Sequence, residues 1–230
     1  MDNRYYFSEA KDNFVIISNQ EAQHLSRVRR AQIGDEIVAF NGDGYDYNLK
    51  IAEITKDKVK AEIISKNLNK ATDDTNITVY LSMIKNDALT TAIDNLAELN
   101  VKHVKLFKSD YSVAVIDEKK LDKLNQIAIQ ASKQSERADI MRISIINKND
   151  IEKDCENKIT FFAYENSNNK IEKFSGDFAV IVGPEGGFSM EENKYFSLFA
   201  KNISLSKTIL RAEVACVASV SMLKAVKDAS

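Results

Sequence analysis

The sequence predicts an α/β protein in two parts, a small β-barrel domain over residues 1–70 and a parallel-sheet domain over residues 76–230. Three observations carry that expectation. Residues 4–65 read as short strands of period two around a single helix, which suits a small barrel. Residues 66–75 are polar or charged apart from Leu68 and Ala71, as a linker is. Beyond them, apolar runs alternate with amphipathic helices, the rhythm of a parallel sheet crossed by helices.

The elements follow in order. Residues 4–10 and 13–18 read as strands with a turn at Lys11-Asp12, and 20–30 as a helix. Strands at 35–40, 45–54 and 58–65 form a meander, with Asn41-Gly42-Asp43-Gly44 as its first turn. After the linker, 77–84 is a strand and 87–99 a helix. That helix carries Leu89, Ala92, Ile93, Leu96 and Ala97, is capped by Asp87 and stops at Asn100. Then come a strand at 101–107, a helix over 117–137 with Leu121, Leu124, Ala128 and Ala131 on one face, and a strand at 140–146. Residues 159–164 and 178–182 are near-continuous apolar runs of the kind buried in parallel sheets. A helix from Ser189, with Ser189 and Glu192 as a capping box, precedes a short strand near Ile203 and a last helix at 212–227. Val214, Val217, Ala218, Val220, Leu223 and Val226 make that last helix apolar on most sides, so burial is expected.

Composition excludes several classes. A net charge of −2 with 44% apolar residues and no Trp is globular, which rules out disorder, collagen and a disulfide scaffold. The segment MDNRYYFSEA carries Asp2 and Arg4 and has no apolar core, and no later apolar run approaches the ~18 residues of a membrane span. A cytoplasmic protein with no membrane association is expected. Cys155 and Cys216 lack CxxC spacing, and His24 and His103 are isolated in sequence, so neither a metal site nor a thiol catalyst is expected.

Backbone punctuation is scarce, with seven Gly and one Pro, yet Gly183-Pro184-Glu185-Gly186-Gly187 holds three of those glycines and the proline. This concentration marks a path that Cβ atoms or ordinary φ values would block. It follows an apolar strand and precedes a helix, the place where open α/β sheets bind ligands. The turn matches neither GxGxxG nor GxxxxGK[ST], so the ligand stays open, as does a tight turn without one. Arg211 and Glu213 stand at the polar entrance of the last helix, where a local ion pair is the plainer reading. Basic and acidic side chains balance over residues 1–70, but 22–34 holds Arg27, Arg29 and Arg30 and, before Asp35, no acid. These arginines suit phosphates or a solvated helix face equally.

GPEGGFSMEE from Gly183, followed by LSKTILRAE from Leu205, resembles the RsmE family of 16S ribosomal RNA uridine N3-methyltransferases, in the SPOUT superfamily. The resemblance covers the whole chain: His24-Leu25-Ser26-Arg27-Val28-Arg29-Arg30 with Gly34-Asp35 resembles a segment of the family's PUA-like barrel. Residues 85–101 resemble its ATELGV helix, and Gln134-Ser135-Glu136-Arg137 its QSxR segment. The chain departs from the family pattern at Arg29, Asn100, Tyr111, Met141, Ala212 and Val214. Tyr111 stands where a SERS-like run has Arg.

The resemblance implies an α/β trefoil-knot domain at 76–230 that binds S-adenosylmethionine, and an RNA-binding PUA-like β-barrel at 1–70. Cofactor contacts would come from Glu165, Gly183, Pro184, Glu185, Gly186, Gly187, Leu205, Ile209 and Leu210. Arg211 and Glu213 would serve catalysis, and Arg27, Arg29, Arg30 and Arg137 the RNA. It further implies 16S rRNA in the 30S subunit as the substrate and a homodimer through the C-terminal domain. A ribose 2′-O-methyltransferase of the same superfamily and a non-catalytic RNA-binding protein are the alternatives.

Overall fold

The computed structural model describes residues 4–71, 73–167 and 169–228. Asp2 of the amino-terminal segment, Thr72 of the polar stretch and the last two residues lie outside them. The chain forms two compact units: Met1–Thr72 with Ser132–Ile140, and Asp73–Ala131 with Met141–Ser230.

The first unit is built on β1 (Arg4–Tyr6), β2 (Glu9–Lys11), β3 (Phe14–Ser18), β4 (Glu36–Phe40), β5 (Tyr45–Ile54) and β6 (Lys58–Leu68). They form one sheet in the order β1-β4-β5-β6-β3-β2. This order and the chain's connectivity together make the sheet curl. β1 and β2 occupy opposite edges, about 24 Å apart if the sheet were flat. Yet only Phe7 and Ser8 join them, a span of at most about 11 Å. The edges must therefore approach one another, which gives the expected barrel. Alternate residues point inward: Tyr5, Val15, Ile17, Ile37, Leu49, Ile51 and Val59 are almost fully buried.

Several details differ from expectation, among them the strand expected at 4–10, which is broken at Phe7-Ser8 into β1 and β2. The helix expected at 20–30 is α1 (Asn19–Gln23) followed by a π-helical turn, His24–Val28, closed by Arg29 N donating to His24 O at 3.0 Å. β6 runs on to Leu68, into the stretch expected to be linker, because backbone pairing of Tyr45 with Leu68 needs no apolar side chain. The segment 132–140 also belongs with this unit rather than with the residues beyond 76. Its carbonyls are taken up by barrel donors: Arg4 Nη2 bonds Arg137 O at 2.9 Å, Asn69 Nδ2 bonds Glu136 O at 3.0 Å, and Gly44 N bonds Ala138 O at 3.2 Å.

The second unit carries β7 (Ile77–Ser82), α2 (Asn86–Glu98), β8 (His103–Phe107), α3 (Glu118–Gln134), β9 (Arg142–Ile145), α4 (Ile151–Asp154), β10 (Ile159–Ala163), β11 (Phe178–Val182), α5 (Met190–Phe196), β12 (Lys201–Ile203) and α6 (Ala212–Asp228). The last turn of α3, from Ser132, belongs to the first unit. All six strands are parallel, in the order β12-β10-β11-β7-β8-β9. β7 and β11, at the middle, are buried along their whole length. Tyr80, Phe107, Phe162, Ile181 and Phe196 form an aromatic-rich cluster on one side of the sheet.

Asp87 does not cap α2. Lys85 is the N-cap residue, with no side-chain bond, and Asp87 lies in the first turn, where its charge suits the helix dipole. Asn100 does stop the helix, with φ of 66°. The last helix is not buried all round: Ala212, Cys216, Val220 and Leu223 face the core, while Val214 and Met222 are 39% and 36% exposed. A helix packed at one side of a sheet buries one stripe, whatever the apolar content of the rest.

Candidate active site

β12, β10 and β11 are adjacent and parallel, so their carboxyl ends lie side by side and the loops leaving them converge. The loops begin at Tyr164, Gly183 and Ser204, and together they enclose a cavity of about 250 Å3. Glu165, Gly183, Pro184, Glu185, Gly186, Gly187, Leu205, Ile209 and Leu210 all line it. Tyr164, Phe188, Ser206, Thr208 and Ala215 are also in the wall, with Ala163, Val182 and Ala212, and were not anticipated as site residues. Their only signal in sequence is that they neighbour the three loops.

The glycine turn is shaped by two restrictions. Gly187 N donates to Pro184 O at 2.9 Å, and Gly187 has φ of +72°, which a side chain would strain. At Gly183, a Cβ would lie 2.8 Å from Cε2 of Phe188. That ring cannot retreat, since it stacks on Phe107 at 6.3 Å and packs against Phe162 and Phe196 at 5.3 and 5.1 Å. Gly183 therefore lets backbone and aromatic core meet at the floor of the cavity. Gly187 turns toward Glu165, whose Oε1 would be 3.9 Å from an added Cβ.

α5 is fixed against the same turn by the expected capping box. Glu192 N donates to Ser189 Oγ at 3.2 Å, and Ser189 N to Glu192 Oε2 at 3.0 Å. A polar network extends from it: Lys148 Nζ bonds Asp110 at 2.6 Å and Glu192 at 2.8 Å, and Ser189 Oγ donates to Asp110 at 2.5 Å. The bonds from Lys148 and then Ser189 hold the Asp110 carboxyl below its ordinary range. Burial alone would lower Lys148, but its bonds to Asp110 and Glu192 outweigh that and raise it.

Arg211 and Glu213 form the local ion pair, Nη1 to Oε1 at 3.3 Å. The Arg211 side chain is 80% exposed and stands between Leu210 and Ala212, which line the cavity, while Glu213 is buried at the start of α6. Below it, burial and then the Glu213 carboxylate push the Cys216 thiol up, so this cysteine is an inert packing group. Among the described residues, no His, Cys, Asp and Glu group has the arrangement of a metal site.

On the barrel, Arg27, Arg29 and Arg30 are exposed on the π-helical turn and its exit. Arg137 is a correction. It is 2% exposed, and its Nε and Nη2 bond the Asp139 carboxylate at 3.1 and 3.0 Å. A guanidinium already paired and desolvated is structural, so Arg137 is not an RNA ligand in this fold.

Residues 71–224 match the RNA methyltransferase domain family, and residues 17–64 the RNA methyltransferase PUA domain family. With a parallel sheet whose cleft lies at three adjacent strand ends, this makes the chain an RNA methyltransferase of the α/β class. It is 30% identical over 228 residues to Ribosomal RNA small subunit methyltransferase E of Aquifex aeolicus, covering 95% of this chain and 97% of that one. It is also 28% identical to the protein of that name in Mesomycoplasma hyopneumoniae over 235 residues, covering 98% and 99%. The chain belongs to the ribosomal RNA small subunit methyltransferase E family. The fold agrees with that of the Neisseria gonorrhoeae member, solved bound to S-adenosyl methionine: TM-score 0.85 at 24% identity, covering 98% of both chains.

Proposed function

We propose that this protein transfers the methyl group of S-adenosylmethionine to N3 of a uridine in 16S rRNA of the small ribosomal subunit. The observation that carries the reading is the meeting of Glu165, the glycine turn, Leu205, Ile209 and Leu210 around one cavity at the strand ends. The cavity fits the cofactor in kind. Its glycine turn leaves backbone open where a Cβ would intrude, its leucines and isoleucine offer apolar surface, and Glu165 and Glu185 suit a cationic ligand. Bound there, S-adenosylmethionine supplies an electrophilic methyl on a sulfonium.

The rest of the chemistry falls to the chain. The uracil N3 must lose its proton and attack in line, forming an N–C bond as the S–C bond breaks. Arg211, exposed at the rim, would meet the negative charge that develops on a uracil oxygen. Glu213, paired with Arg211 at 3.3 Å, would accept the N3 proton or orient that guanidinium. Alignment of the two reactants contributes more, up to about 7 to 11 kcal/mol, than a positioned base, which contributes about 3 to 5 kcal/mol. Arg27, Arg29 and Arg30 would hold RNA phosphates. The trefoil threading of the second unit, a homodimer through that unit, the assembled 30S subunit as substrate and a cytoplasmic location belong to the same proposal. It is consistent with them that no helix among the described residues is long and apolar enough to cross a membrane.

The test is methyl transfer from labelled S-adenosylmethionine to 30S subunits lacking the modification, read by nucleoside mass spectrometry. Methyl on uridine N3 is expected. Methyl on a ribose, or none despite cofactor binding, would overturn the reading.

A further inference from the structure

Tyr111 is the most exposed of the eight tyrosines, at 54%, and it stands against the glycine turn. A Cβ on Gly186, which lines the cavity, would lie 3.4 Å from Tyr111 Cβ and 3.9 Å from its Cγ. The short loop that carries it is fastened from three sides. Ser82 Oγ, at the end of β7, lies 2.7 Å from Ser109 Oγ and 2.8 Å from Ser112 Oγ. Ser109 N donates to Ser112 Oγ at 3.0 Å, and Ser112 N to Ser109 O at 3.1 Å. Asp110 N donates to Glu192 Oε1 at 3.0 Å, and its carboxylate holds Lys148 and Ser189. Among the described residues, no group bonds the Tyr111 hydroxyl and no ring pairs with its ring.

A held backbone carrying an open aromatic ring at the lip of the cleft is a preorganised stacking surface. An unpaired base taken out of its RNA stack exposes a flat π-face of matching size, and enzymes that modify a base need such a surface in place of the neighbouring bases. We propose that Tyr111 stacks on the target uracil and so fixes the base plane relative to the methyl donor. This rests on the functional reading above. The atom of Tyr111 nearest a Cβ built on Gly186 is its own Cβ, so an alanine keeps that atom beside the turn and removes the ring, while phenylalanine keeps both.

The test uses the full chain with single-turnover methylation of unmodified 30S subunits, S-adenosylmethionine binding by calorimetry, and fluorescence. Tyr111→Ala is expected to lower kcat/KM for RNA by about 5- to 150-fold, the usual range for removal of one base-aromatic stack. Tyr111→Phe should stay within about 3-fold of wild type, because a stack needs no hydroxyl. Cofactor affinity should be unchanged in both. The sequence has no Trp, so Tyr111→Trp places a single reporter at the site. Its emission should be quenched when unmodified subunits bind in the presence of S-adenosylhomocysteine. An alanine variant as fast as wild type, a phenylalanine variant as slow as alanine, or unquenched emission with subunits bound would overturn the proposal. If wild type itself leaves uridine N3 unmethylated, it is the functional reading that fails.

Discussion

Gly183 is set by one ring. Because Phe188 is clamped among Phe107, Phe162 and Phe196, the Cβ of Gly183→Ala has nowhere to go. Denaturant unfolding of that variant should show a loss of about 1 to 3 kcal/mol, the usual cost of overpacking. Calorimetry should show weakened S-adenosylmethionine binding. Arg211 is the opposite case, with a side chain 80% exposed whose contact with the fold is a solvent-screened ion pair with Glu213. Arg211→Ala should unfold like wild type and methylate about 10²- to 10³-fold more slowly, as when one donor to a developing oxyanion is removed. A normal rate would dismiss Arg211 from the chemistry. The glycine turn was legible in sequence because a chain with seven glycines placed three there. The burial of Arg137 was not, since its partner Asp139 is two residues away and nothing in that spacing tells a buried pair from an exposed one.

At the scale of elements, α4 shows how a short helix is held by charge. Lys105 of β8 bonds both oxygens of Asp154 at 2.6 Å, and Tyr80 of β7 donates to the same carboxylate at 2.5 Å. Burial alone would raise this carboxyl, but the bonds from Lys105 and Tyr80 outweigh it and hold Asp154 below its ordinary 3.8. A carboxyl with a lowered pKa in the folded state stabilises above its unfolded value and loses that stabilisation as pH falls. The melting temperature should therefore drop as pH goes below about 3.8, and Asp154→Asn should flatten that part of the profile. The same variant should cost about 1 to 3 kcal/mol at neutral pH, the worth of hydrogen bonds to a charged group. Neither α4 nor its tie was foreseen, because four residues leave no period to read. Strands bounded by a clear change from apolar pattern to turn residues fared better: β5, at Tyr45–Ile54, and β11, at Phe178–Val182, begin and end at the expected residues.

For the molecule as a whole, the near balance of charge, −2, argues against recognition by net field. Binding would rest on local clusters instead, foremost Arg27, Arg29 and Arg30. Replacing all three by alanine should weaken binding to 16S rRNA and reduce the slope of log affinity against log salt by about 0.7 to 0.9 for each phosphate no longer neutralised. An unchanged slope would move the RNA-binding surface off this turn.

The sequence by itself determined the two structural classes, the extent of strands such as β5 and β11, and the concentration of three glycines and the proline in one turn between a strand and a helix. These depend on period, chain length and backbone freedom, which are local properties. The family resemblance had already implied that the three loops meet; only the tertiary structure decided that segment 132–140 packs with the barrel unit, that Arg137 is buried against Asp139, and that Tyr111 stands over Gly186. Strand order is set by which buried surfaces fit one another across the sheet, and residues far apart in sequence carry no mark of that fit until they are packed.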